Sequence, residues 1–166
     1  MKLALAVLRF LVVSALAFAA CHAWPWLVLE APARLAWLLA PVLGLSPLGP
    51  PVVHGAAITF AHPGTPIVLE DPYVLAGIPL HLGLWAAPAR PRLPWLRVIA
   101  GVLVLEVVAG IVLGLVALCV ARGYTGSPAR EPIELVALAL VAAIRVLPLP
   151  LWMMLDPAWG RLTARS

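Results

Sequence analysis

Three polar side chains stand inside long apolar runs of this chain, and their positions are where chemistry could occur. Glu106 is the single charge between Val98 and Ala121, Arg145 lies within Ile133–Leu155, and His81 lies in the uncharged stretch from Pro72 to Ala89. A charge at the centre of a bilayer is costly, so such residues face the bundle interior and have a partner. Their depths can be compared at 1.5 Å per helical residue. Glu106 is eight residues from Val98, about 12 Å along a helix. Arg145 is ten residues from Leu155, about 15 Å along a helix running the other way. His81 is seven residues from Pro88, about 10 Å. The spacing predicts a buried Glu106–Arg145 pair with His81 nearby. The simplest role for such a pair is to fix one arrangement of two helices. A polar pocket or proton path is the functional alternative, and separate snorkelling of the two side chains is a third.

The elements that must position these groups follow from composition. Of 166 residues, 64% are hydrophobic and 11% charged, with a mean hydropathy of +1.07. Soluble domains are nearer half apolar and a quarter charged, and a domain of this length could not hide so much apolar surface. A soluble enzyme and a disordered chain are both excluded. The reading is a mainly α, polytopic membrane protein forming a single membrane domain over residues 1–166. It has about four transmembrane helices near 4–23, 73–88, 98–121 and 133–155, together with an outer segment over residues 24–72. The first helix carries Lys2 and a cysteine after Ala19-Ala20. It is expected to be retained rather than cleaved as a signal, because Arg9 interrupts its apolar region and apolarity continues to Leu29.

The net charge is +4. The basic residues are scattered and flank apolar runs, so membrane topology explains them and nucleic acid does not. With the N-terminus in the cytoplasm, Lys2, Arg9, Arg90, Arg92, Arg97, Arg161 and Arg165 lie inside, against Arg34, Arg122 and Arg130 outside. Both termini are then cytoplasmic. Trp24 and Trp26 suit the outer interface; Trp95, Trp152 and Trp159 suit the inner one.

The outer segment has two parts. Trp26–Gly44 contains Glu30 and Arg34 at ion-pair spacing and predicts a helix at the outer interface. A further crossing there is countered by Pro41, Pro47, Pro50 and Pro51. In Val52–Leu69, β-branched runs flank His62-Pro63-Gly64-Thr65 and predict a short β-hairpin. Of the 18 prolines, Pro79, Pro148 and Pro150 fall inside expected membrane helices, where they predict kinks.

Other candidates carry less. Cys21-His22 lacks an orienting third group and an oxyanion site. His54 and His62 have no carboxylate company for a metal, and Cys21 and Cys119 have no CxxC spacing. Glu70-Asp71 reads as a cap at a helix N-terminus, and Ser127 to Pro132 with Glu134 as another helix start. No Walker loop, HExxH or GxSxG occurs. Neither a cofactor nor a metal site is expected.

With the segments placed, the chain resembles the small membrane proteins associated with exosortase H, an intramembrane sorting enzyme of Gram-negative bacteria. The elements that carry the resemblance are Arg9-Phe10 before an apolar helix, the outer segment with β character, and Asp71-Pro72-Tyr73-Val74-Leu75-Ala76-Gly77-Ile78-Pro79-Leu80. The arginine loop follows, then Pro128-Ala129-Arg130-Glu131 before a last helix with Leu147-Pro148 and Leu151-Trp152. Glu106 stands where that family tends to carry an uncharged polar residue. The resemblance implies a non-enzymatic accessory protein of the bacterial inner membrane, with the lipid bilayer and an exosortase as partners. Exosortases resemble cysteine transpeptidases with Cys, Arg and His in the membrane. Here Cys21 and Cys119 lie toward the outer side, away from His81, so the chain is not expected to be an enzyme. A small transporter or channel subunit, with Glu106, His81 and Arg145 lining a polar path, is the alternative function.

Overall fold

Long runs of Leu, Val and Ala that lack proline propagate as helix, because these side chains cover the backbone and every N–H finds its carbonyl within the segment. In the computed structural model two such runs form the longest helices, α1 (Lys2–Ala23) and α4 (Trp95–Ala121). The others are α2 (Trp26–Leu39), α3 (Tyr73–Ala86), α5 (Pro132–Val146) and α6 (Pro148–Leu155), with strands β1 (Pro51–His54), β2 (Ala57–Phe60) and β3 (Ile67–Glu70). The structure describes residues 2–45, 48–63, 65–70, 73–88, 94–122 and 132–156, without the side chains of residues 2, 73–76 and 132–134.

The protein is mainly helical and membrane-associated in character. Leu3–Ala23 and Trp95–Ala121 are long and apolar enough to cross a bilayer, and α5 with α6 makes a third span if the bent pair is counted as one. This is fewer than the four expected. The segment expected at 73–88 appears as α3, whose 14 residues measure about 21 Å against a hydrocarbon core of about 30 Å. The segment expected at 133–155 is bent by 52°. The bend falls where Pro148 and Pro150 withhold their N–H groups from the Ile144 and Val146 carbonyls. Regular bonds resume on either side, from Leu147 N to Ala143 O at 2.8 Å and from Leu151 N to Leu147 O at 3.1 Å.

α4 is the spine. Near its Trp95 end it packs on α3 and α6, and α1 lies against α3. Toward its Ala121 end it packs on α2, α5 and β3. Two helices approach this spine and its neighbour closely through glycine. A Cβ on Gly114 would meet Leu43 at 3.1 Å and the Ala36 Cα at 3.7 Å, and one on Gly83 would collide with Ser14 and with the Phe10 carbonyl of α1. Gly110 and Gly114 lie four apart on α4, facing the stripe of α2 that buries Leu29, Ala33 and Ala36. Small residues at this spacing let two backbones approach within an apolar phase, where dispersion and not water exclusion holds helices together. α2 therefore lies lengthwise along α4. It does not lie across the end of the bundle, as a purely interfacial helix would.

The expected two-stranded hairpin is a three-stranded antiparallel meander in the order β1-β2-β3. The His62–Thr65 region does connect two strands, β2 and β3, with Phe60 opposite Ile67. The additional strand comes from a second turn between His54 and Ala57, where Gly55 takes φ +56°. A left-handed residue suits a two-residue hairpin turn, and glycine reaches that conformation without a Cβ penalty. Alternation then directs Ile58, Phe60, Ile67 and Leu69 into one core with Leu29, Ala33, Leu113 and Ala117. Trp37 of α2 donates from Nε1 to the Leu48 carbonyl at 2.9 Å, tying the sheet's entry strand to the helix. Several expectations lie outside the described residues: the Asp71 cap, the Arg90–Arg92 loop, the turn over Ser127–Glu131, Trp159, Arg161 and Arg165.

Candidate functional site

The depths of the three polar residues agree with their spacing, but their directions differ. A point one bond out from Gly77 Cα lies 3.6 Å from the Ile144 carbonyl and 3.7 Å from Leu105 Cδ2. Residues 144 and 105 are therefore nearly level, and their successors Arg145 and Glu106, on helices that run in opposite directions, differ by about 3 Å in height. Neither a hydrogen bond nor an ion pair joins Glu106 to Arg145 among the described residues. Arg145 is exposed and lines a groove with Phe10, Leu80 and Leu84, and it has an interaction within the chain. Glu106 is half-buried on the flank of α4, near enough to Cys21 of α1 for the two to interact electrostatically. Its Oε2 is buried with no hydrogen-bond partner among the described residues.

His81 is wholly buried between α3 and α4. Its ring fills the space over Gly101, where any side chain would overlap it. Trp85, one turn along α3, donates from Nε1 to His81 Nε2 at 3.0 Å. An imidazole that accepts at Nε2 and is neutral carries its proton on Nδ1, and that atom has no hydrogen-bond partner among the described residues. Gly101 lies five residues before Glu106 on α4, about 7.5 Å lower along the axis and on a different face. His81 therefore sits at a different height and on a different face from Glu106. Sequence reasoning missed Trp85 and Gly101. The His81/Trp85 separation of four was the available signal, since it places both rings on one face.

The weaker candidates stay apart as well. Cys21 and Cys119 are buried thiols, and His22 is exposed at the end of α1. His54 ends β1 on an exposed surface. No group of three His, Cys, Asp or Glu side chains among the described residues could hold a metal ion. The Glu30–Arg34 pair forms as expected, exposed on α2, where such a pair contributes little.

No protein-family model matches the chain, and no curated protein or solved structure matches it either.

Proposed function

We propose that the chain is a non-enzymatic accessory protein of an exosortase-type sorting system in the bacterial inner membrane, binding the sorting enzyme or its substrates. In this reading it crosses the bilayer four times with both termini in the cytoplasm, α3 being accommodated by local thinning. The observation that carries the proposal is the packed module at the Ala121 end of α4. That module has its own apolar core yet exposes Trp24, Trp26, Leu27, Trp37 and Leu38 on and before α2, and Val52 and Val68 on the sheet. Apolar surface of this extent beside an interface marks a membrane or protein contact. The resemblance over Arg9-Phe10, Asp71–Leu80 and Pro128–Glu131 supplies the kind of partner.

The test is co-purification. Co-expressed with an exosortase from the same genome, the tagged chain should enrich that enzyme in mild detergent; absence of enrichment would reject the reading.

The unpartnered Oε2 of Glu106 favours one second reading, a transporter or channel subunit that uses this carboxyl. The two readings separate on one substitution. Under the accessory reading, Glu106→Gln should leave both the fold and the proton or cation flux of reconstituted vesicles unchanged. A flux present in the parent chain and lost in the variant would favour the transporter.

A further inference from the structure

The bend between α5 and α6 opens a groove of about 320 Å³ walled by Phe10 of α1, Leu80 and Leu84 of α3, and Pro148 and Leu149 of α6. Its lining is apolar except for Arg145. The groove has a direction. Arg145 and Pro148 stand at the level of Gly77, whereas Phe10 abuts Gly83. From Gly77 to Leu84 is seven residues, about 10 Å of helix. The arginine is therefore at one end, and an apolar trough descends from it.

That end lies near a bilayer surface. Along α4 the order of Gly101 against His81, Leu105 against Gly77 and Gly110 against Leu35 of α2 puts the Gly77 level toward the junction of α1 and α2, where Cys21 joins the outer core. Trp24 follows Cys21 by three residues and is exposed, about 4.5 Å further along the helix. Tryptophan marks the headgroup level, and an arginine side chain reaches several ångströms toward it. The guanidinium thus meets phosphate while the trough lies at acyl-chain depth.

From this geometry we infer that the groove is a phospholipid site, with the lipid phosphate on Arg145 and one acyl chain lying along Leu80, Leu84 and Phe10. Arginine matches a phosphate with two parallel N–H donors. A guanidinium carries five donors, and Arg145 already interacts within the chain. The inference rests on α1 crossing the bilayer and is independent of the exosortase reading.

The experiment uses the full chain in dodecyl maltoside, a detergent without phosphate. Three probes carry the same photoreactive acyl chain: phosphatidylglycerol, diacylglycerol and the free fatty acid. Mapped by mass spectrometry, phosphatidylglycerol should label Phe10, Leu80, Leu84 and Leu149 about tenfold more than diacylglycerol, the scale of a charge-assisted hydrogen bond. Arg145→Gln should remove that advantage, and Arg145→Lys, which keeps the charge but not the two parallel donors, should keep only part of it. Leu84→Trp, which fills the trough and leaves Arg145 in place, should abolish groove labelling by every probe and decides the matter if Arg145→Gln fails to fold. Equal labelling by diacylglycerol overturns the inference, and so does stronger labelling by the fatty acid or label spread evenly along α1.

Discussion

Gly83→Leu should detach α1 from α3 and lower stability by about 2–3 kcal/mol, the upper range for forcing a side chain into a packed contact. A Cβ at this position already collides with Ser14, and it comes within 3.0 Å of the Phe10 carbonyl, which is backbone and cannot swing aside. α1 packs principally on α3, and its further contribution to the outer core is Cys21 near its end. Unfolding in mixed detergent measures the loss, and cross-linking between cysteines placed at Val13 and Leu82 should report the separation directly. Gly83→Ala should have a smaller effect of the same sign. A Gly83→Leu variant as stable as the parent would mean that α1 is held elsewhere.

Phe60→Ala should have the largest effect in the outer module, about 3–5 kcal/mol, as for other buried aromatic residues truncated to alanine. Phe60 is 0% exposed, pairs with Ile67 across the sheet and belongs to the cluster that joins the strands to α2 and α4. Removing its ring leaves a cavity at the centre of that cluster. Because α3 and α6 do not share the cluster and α1 contributes only Cys21 near its end, the expected result is loss of order in the sheet while the long helices persist. Hydrogen exchange should show β1–β3 amides losing protection before those of α4. If the proposed accessory role is right, the same variant should lose co-purification with the exosortase while still inserting in the membrane.

What could be read from sequence divides along a physical line. The existence and rough limits of the helices were legible because they depend on local runs: Leu3–Ala23 and Trp95–Ala121 are uninterrupted, and Pro148 fixes where the last segment bends. The β-branched runs at Val52, Ile58 and Ile67 were legible for the same reason, but the number of strands turned on Gly55, whose φ of +56° makes a turn out of two residues. The shared depth of Glu106 and Arg145 was legible, since helical rise converts residue counts into height. Direction around the axis was not. α4 is apolar on nearly every face, so no periodicity points Glu106 toward one neighbour, and the 52° bend just after Arg145 turns α6 relative to α5. Height without direction predicts a pair; in the structure Glu106 Oε2 has no hydrogen-bond partner among the described residues, and Arg145 lines the groove beside α6. The lengthwise packing of α2 on α4 was hidden for a related reason: it depends on Gly110 meeting Leu35 and Gly114 meeting Ala36, contacts between segments about seventy-five positions apart.

The one-sided packing of α1 has a consequence for synthesis. Its main contact is α3, which begins 50 residues after α1 ends at Ala23. At about 5–20 residues per second, α1 leaves the ribosome several seconds before its partner exists. If α1 crosses the bilayer as proposed, during that interval it persists in lipid without α3. Its sequence is suited to the wait: after Lys2, only Arg9, Ser14 and the terminal His22 interrupt an otherwise apolar helix. The surface that will later receive Gly83 is as acceptable to acyl chains as to protein. The order of manufacture, as much as the finished packing, accounts for a helix that is greasy on every side.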